Sequence, residues 1–432
     1  MRQLTAQFHS LARLTLLTST MVLLASAHVA GTAKEVAPES IKTCDTPTTP
    51  FCNALMLPTP GWKGHEFKLA QQYPAKAPED VMPWMSFDPY SEPKQYLQAA
   101  LGYFYEGNIR ASVEDSFNPK LNRVRHWYNA PWQDYGTNGR EFVHGLTRER
   151  VSQPQELDTH QTKKWNNYAV GFYNAPGGEA IGKIWANHGA PNADLAQMPE
   201  GTVGAKLLFT TAPVTEVPFL AGSPEWDAYV YADPNDPSPT PTSPRAVLKV
   251  RLLQIDIAVK DSRAKETGWI FGTFVYGGGP GGQAGSSWFN VSPVGVMWGN
   301  DPGYAGTGPL TQTWLNPDVH MPHVGYQGRL NGPIDNPISS CMSCHSTAEL
   351  PQGTMVPPHG ADPALWFQNS KSGTPFDAGR KPLDYSLQIE VGFVNFLQAH
   401  QAIKPKSLTL GQVQQVHVDK AKPLLRGGEE DK

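Results

Sequence analysis

Apolar and aromatic positions along the chain fall into short runs separated by Gly, Pro, Asn and Ser. Four runs, 168–173, 201–209, 247–259 and 269–276, are dense in Val, Ile, Leu and aromatic residues and predict strands. Their alternation assigns faces. Val203, Ala205, Leu207 and Phe209 share one face, and Thr202, Gly204, Lys206 and Leu208 the other. Further on, Ile255, Ile257 and Val259 oppose Gln254, Asp256 and Ala258. Residues 233–245 form a Pro/Ser/Thr-rich insertion, expected to be a solvated loop. Residues 277–285 are a glycine-rich turn without the spacing of a phosphate cradle. Two stretches read as helices, 96–105 and 384–400. The pattern predicts an α+β protein, mainly antiparallel β.

The organisation expected is a signal peptide at 1–30, an extended lead-in at 31–62, an aromatic-rich region at 63–165, a β-domain at 166–360, and a C-terminal helix and tail at 361–432. Arg2 and Arg13 flank a short apolar stretch, 14–24, followed by Ala25, Ser26 and Ala27 as a small-x-small cleavage site. That stretch is short for a bilayer span, so export to the periplasm is preferred over an uncleaved anchor. The first region carries Trp84, Tyr103, Phe104, Trp127 and Trp132. In it, a buried ion pair of Arg140 or Arg148 with Glu141 is one reading, a ligand site another, and His144 reads as structural.

Composition narrows the function. The 432 residues include 40 Gly and 40 Pro and carry a formal net charge of -4, so no strong field favours nucleic acid. The four cysteines form two pairs. Cys44 and Cys52 are expected to close a small disulfide loop in an oxidising compartment.

The other pair carries the chemistry. Cys341-Met342-Ser343-Cys344-His345 matches C-x-x-C-H, the attachment signature of haem c. Two thiols add across the vinyl groups of one porphyrin edge, and the adjacent histidine reaches the iron. A thioredoxin-like pair would want a βαβ context, and a zinc site two further Cys or His ligands. The sixth iron position stays open at this point. Met355, His359, Met321 and His323 are near in sequence, and an empty position would admit a ligand. The motif comes late in a β-rich chain, unlike the small helical cytochromes.

Three segments resemble the cytochrome P-460 family and its relative cytochrome c′-β, β-sheet haem proteins with C-x-x-C-H near the C-terminus. They are Glu200-Gly201-Thr202-Val203-Gly204-Ala205-Lys206, then 256–262 (DIAVKDS) with 268–274 (GWIFGTF), and the haem motif followed by Thr354-Met355-Val356. The resemblance covers about 165–360, in a chain far longer than usual members, and implies one covalent haem c on a P-460-like sheet. It implies an open iron site for a small nitrogen ligand, hydroxylamine or nitric oxide. Lys206 matches the lysine that joins the porphyrin in hydroxylamine-oxidising members. Asp256 matches an acidic residue beside the open site. On its strand face Asp256 is expected in a pocket with a raised pKa; the alternative is a surface ion pair with Arg251 or Lys260. A periplasmic redox partner and a homodimer complete the expectations. A six-coordinate electron carrier ligated by Met355 is the rival reading.

Overall fold

The structure is a computed structural model that describes residues 51, 61–64, 66–134, 140–240, 242–277, 288–358 and 360–403. The expected signal peptide, the Cys44–Cys52 loop, His359 and most of 277–285 lie outside the described residues, as does the tail from 404.

In chain order the elements are α1 (Pro93–Tyr105), β1 (Thr147–Arg148), β2 (Asn167–Tyr173), α2 (Ala175–Ile184), β3 (Val203–Thr210) and β4 (Glu225–Tyr231). There follow β5 (Arg245–Lys260), β6 (Trp269–Tyr276), β7 (Val291–Met297), β8 (Thr313–Leu315), α3 (Cys341–His345), β9 (Glu349–Leu350), β10 (Lys381–Pro382) and α4 (Leu387–Ile403). Among the described residues, eight strands make one antiparallel sheet in the order β1-β2-β3-β5-β6-β7-β8, with β4 paired to the first half of β5. The expected α+β class with a dominant antiparallel sheet is what the chain forms. Among the described residues no helix is long and apolar enough to cross a membrane.

The four strands expected from sequence are β2, β3, β5 and β6. β4 and β7 went unrecognised. β4 mixes Glu225 and Asp227 with its apolar positions, and Pro293 interrupts β7 where the ladder shifts register. The 233–245 insertion is the connection between β4 and β5.

One face of the sheet is closed by α1. Its apolar stripe of Tyr96, Leu97, Ala100, Leu101 and Phe104 recurs at helical spacing and is buried. Gly272 lets α1 approach: a Cβ there would stand 2.3 Å from Leu97 Cδ1. The aromatic first region is core in the main. Trp84 and Trp127 are buried, Phe104 packs on Trp127 at 4.9 Å, and Phe117 on Trp288 at 4.6 Å. Each buried ring contributes roughly 1.5–3 kcal/mol through surface removed from water. The opposite face of the sheet carries the cleft described below.

The ion pair expected at Glu141 does not form. Arg140 faces Asp134 at 3.5 Å, and Arg148 donates to Asn166 Oδ1 and to the Asp236 carbonyl. The Glu141 carboxylate instead accepts the amides of His144 and Gly145, which satisfies a tight turn better than a charge partner would. His144 is structural as expected, stacked 4.0 Å from the Trp226 ring.

Candidate functional site

The C-x-x-C-H motif is a single helical turn, α3, and its start is tightly specified. Ser340 caps it: its hydroxyl accepts the Ser343 amide at 3.0 Å, and the Ser343 hydroxyl accepts the Ser340 amide at 2.8 Å. The Ser340 hydroxyl also donates to Asn300 Oδ1, which ties the turn to the end of β7. Cys341 and Cys344, three apart on one turn, face the same side. Both are present as thiols.

These two cysteines and His345 line a cleft with about 1090 Å³ of empty space, partly open to solvent. Its floor is the sheet face opposite α1. A cross-strand row runs Gly171–Lys206–Asp256–Thr273 through β2, β3, β5 and β6. Its roof is α3, the 331–340 loop, Met355 with Val356, and residues 385–388 at the start of α4. The structure therefore brings together six of the residues singled out in the sequence: Cys341, Cys344, His345, Lys206, Asp256 and Met355. Met321 and His323 do not line the cleft; His323 bonds to the Val324 carbonyl and faces Glu156 at 3.8 Å.

His345 is held in one tautomer. Its Nδ1–H donates to the Tyr385 carbonyl at 2.8 Å, which puts the ring's lone pair on Nε2, the form and second-sphere contact typical of a metal-ligating histidine. Phe271 packs against the imidazole at 4.8 Å. The Tyr385 carbonyl is set by an unusual backbone. Asp384 and Tyr385 both adopt positive φ, 47° and 65°, a costly pair for non-glycine residues. Asp384 is buried and pins this turn. It accepts from Lys260 Nζ at 2.8 Å, Trp269 Nε1 at 2.9 Å, the Ser372 hydroxyl at 2.7 Å and the Met198 amide at 2.8 Å. Asp384→Ala is expected to destabilise the fold by about 3–5 kcal/mol, because it strands a buried ammonium. Urea unfolding checks this, and an unchanged midpoint would contradict it.

The polar wall lies along the strand row. Lys206 is ion-paired with Glu149 at 2.7 Å. Asp256 accepts from the Thr273 hydroxyl at 2.8 Å and from Gln254 Nε2 at 2.8 and 2.9 Å. The same Gln254 amide donates to Asp335 Oδ2 at 3.0 Å, and the Gly332 amide donates there as well. Neither cation considered as a surface partner takes Asp256: Arg251 pairs with Glu225, and Lys260 with Asp384. Burial, with the charge of Asp335 behind it, pushes the Asp256 carboxyl up to about 7, against the opposing pull of Gln254, Lys206 and Thr273.

Burial and the charges of Asp256 and Asp335 also push the Cys341 thiol well above its ordinary value. A thioredoxin-type pair needs the reverse, a lowered thiol pKa. Among the described residues no group of three or more His, Cys, Asp or Glu stands ready for a metal ion, so the second half of a zinc site is not at hand. Two thiols on one turn beside an oriented imidazole are a donor set that could hold a cofactor tethered through both sulfurs.

Glu149, Asp335 and the Asp384–Tyr385 turn went unrecognised in the sequence. Glu149 is far from the motif along the chain and reaches the cleft only through β1–β2 pairing. Asp335 sits in the loop just before Cys341, so an acid close upstream of the motif was its one available signal. No family model, curated protein or solved structure matches this chain.

Proposed function

We propose that the protein is an exported, periplasmic monohaem c-type cytochrome of P-460 type, which binds or oxidises a small nitrogen ligand, hydroxylamine or nitric oxide. The observation that carries this reading is the convergence of Cys341, Cys344, His345, Lys206 and Asp256 on one cleft, from segments widely separated in sequence. When bound, haem c supplies the redox chemistry and a coordination position for the ligand.

The residues around it have distinct tasks. Cys341 and Cys344 would hold the porphyrin through their sulfurs. His345, oriented by the Tyr385 carbonyl, would offer Nε2 to the iron. Lys206 lies one strand across from Asp256, paired with Glu149, where it would contact the ring. Asp256 takes a proton from an N–H or O–H of the ligand; a carboxyl titrating near neutrality is suited to that work. The aromatic and aliphatic walls, Phe271 and Ile334, limit water around that transfer. Electrons leave to a periplasmic redox partner.

The position of Met355 on the cleft supports a second reading, a six-coordinate electron carrier with this thioether as sixth ligand. The ferrous absorption spectrum separates the two. A spectrum that changes on adding nitric oxide, together with a ferric one that changes on adding hydroxylamine, fits the open site. A six-coordinate band pattern indifferent to both ligands fits the carrier and rules out the proposed activity.

A further inference from the structure

Five charged side chains other than His345 line the cleft: Glu149, Arg150, Lys206, Asp256 and Asp335. Two of the negative charges around it are balanced. Lys206 pairs with Glu149, and Arg150 pairs with Glu156 behind the wall. Asp256 and Asp335 are left: Lys206 pulls on Asp256 from the neighbouring strand and Arg150 reaches the Asp335 carbonyl, but no salt bridge to either carboxylate is seen among the described residues. They are joined through one group: the Gln254 side-chain amide donates to both carboxylates, and its own Oε1 is fixed by the Ile334 amide at 3.2 Å. Asp335 is held further by the Gly332 amide. The bridge keeps two carboxyl groups side by side on the same wall as the thiol of Cys341, and above about pH 7 Asp256 adds its charge to that of Asp335.

We propose that Asp335 is a specificity-determining residue of this cleft: with Asp256, across the Gln254 bridge, it makes a wall of negative charge that admits uncharged or protonated nitrogen ligands and turns away small anions. This inference rests on the haem reading above and deepens it by naming the ligand class. The physics is like-charge repulsion in a site sheltered from water, where a fixed carboxylate acts on an entering anion more strongly than it would in bulk solvent. A neutral ligand of similar size feels no such penalty. The loop that carries Asp335 runs directly into Cys341, so the charge stands at the tethered edge of the cofactor site.

The test is equilibrium titration of the ferric, full-length protein with azide and with imidazole, followed by absorbance, at about pH 8, where free imidazole is uncharged. Asp335→Asn keeps an oxygen acceptor for Gly332 and Gln254 and removes the charge. It is expected to bind azide about tenfold more tightly than wild type, with imidazole affinity changed by less than about twofold. Asp335→Glu, which restores the charge, is expected to return azide affinity towards the wild-type value. In the wild type alone, added salt is expected to strengthen azide binding, because screening weakens the repulsion. That arm holds even if a variant fails to fold. Azide affinity indifferent to Asp335→Asn, a parallel change for both ligands, or azide binding weakened by salt would each overturn the inference while leaving the haem reading intact. A purified protein with no haem band at all overturns both.

Discussion

A Cys341→Ala/Cys344→Ala protein is expected to be exported without covalently bound haem, colourless after denaturing extraction, while its β-sheet still folds. The two thiols are the only cysteines among the described residues that face the cleft. Both are half-buried and stand on a turn whose geometry is fixed by Ser340 and Ser343 and not by sulfur. Cys341 Sγ has only loose contacts, 3.8 Å to Thr273 Oγ1 and 3.8 Å to Asn331 Oδ1. Removing one sulfur at each site therefore costs the polypeptide on the order of 1 kcal/mol apiece, far short of unfolding a sheet of this size. The loss of haem is all-or-none by contrast, because no other described thiol is placed to replace them. Haem retained covalently in the double variant, seen as colour that survives acid-acetone extraction, would contradict the assignment.

The second large effect is expected at Asp256. Asp256→Asn keeps the hydrogen bond from Thr273 and removes the proton acceptor. Hydroxylamine oxidation is expected to fall about 10²–10⁴-fold in kcat with little change in KM, the range for losing a general base. The pH profile gives a second readout. In the wild type the rate is expected to rise with pH through about 7, as the buried carboxyl ionises, and in the variant this limb is expected to vanish. Stability has the opposite sign. The folded-state pKa is raised above the ordinary value of 3.8, so the protonated form is the favoured one in the fold. The contribution is fully present below that ordinary value and is lost as pH rises towards about 7. Asp256→Asn is expected to show a shallower slope in denaturant titrations between those limits, the remainder coming from Asp134, Glu349 and Glu390, which burial also raises. A variant with wild-type kcat and an unchanged pH profile would remove Asp256 from the chemistry.

Strand alternation placed Lys206 and Asp256 on the face away from Leu207 and Ile257, and that face is the floor of the cleft. Period-two patterning is a local property, so it survives folding wherever one face is buried against a helix such as α1. The pairing of Lys206 opposite Asp256 was not legible, because register is set by tertiary contacts across strands. The same limit hid Glu149, which comes from the first region, and Asp335, whose role depends on Gln254 lying beneath it. The turn at Asp384 and Tyr385 was hidden for another reason. Neither residue is glycine, so its positive φ leaves no mark in composition and is sustained only by the buried bonds of Asp384. The aromatic first region was opaque in a third way. Its aromatic density carries no signal of a site, and Trp84, Phe104 and Trp127 are packed inside, as large rings most often are.

Haem joined by thioether bonds to the turn that carries His345 is read out by the intact mass of the full-length protein purified from the periplasm, measured under denaturing conditions alongside its visible absorption. The expected result is a coloured protein whose mass exceeds that of the processed polypeptide by one haem. A colourless protein with the mass of the bare polypeptide would contradict the account.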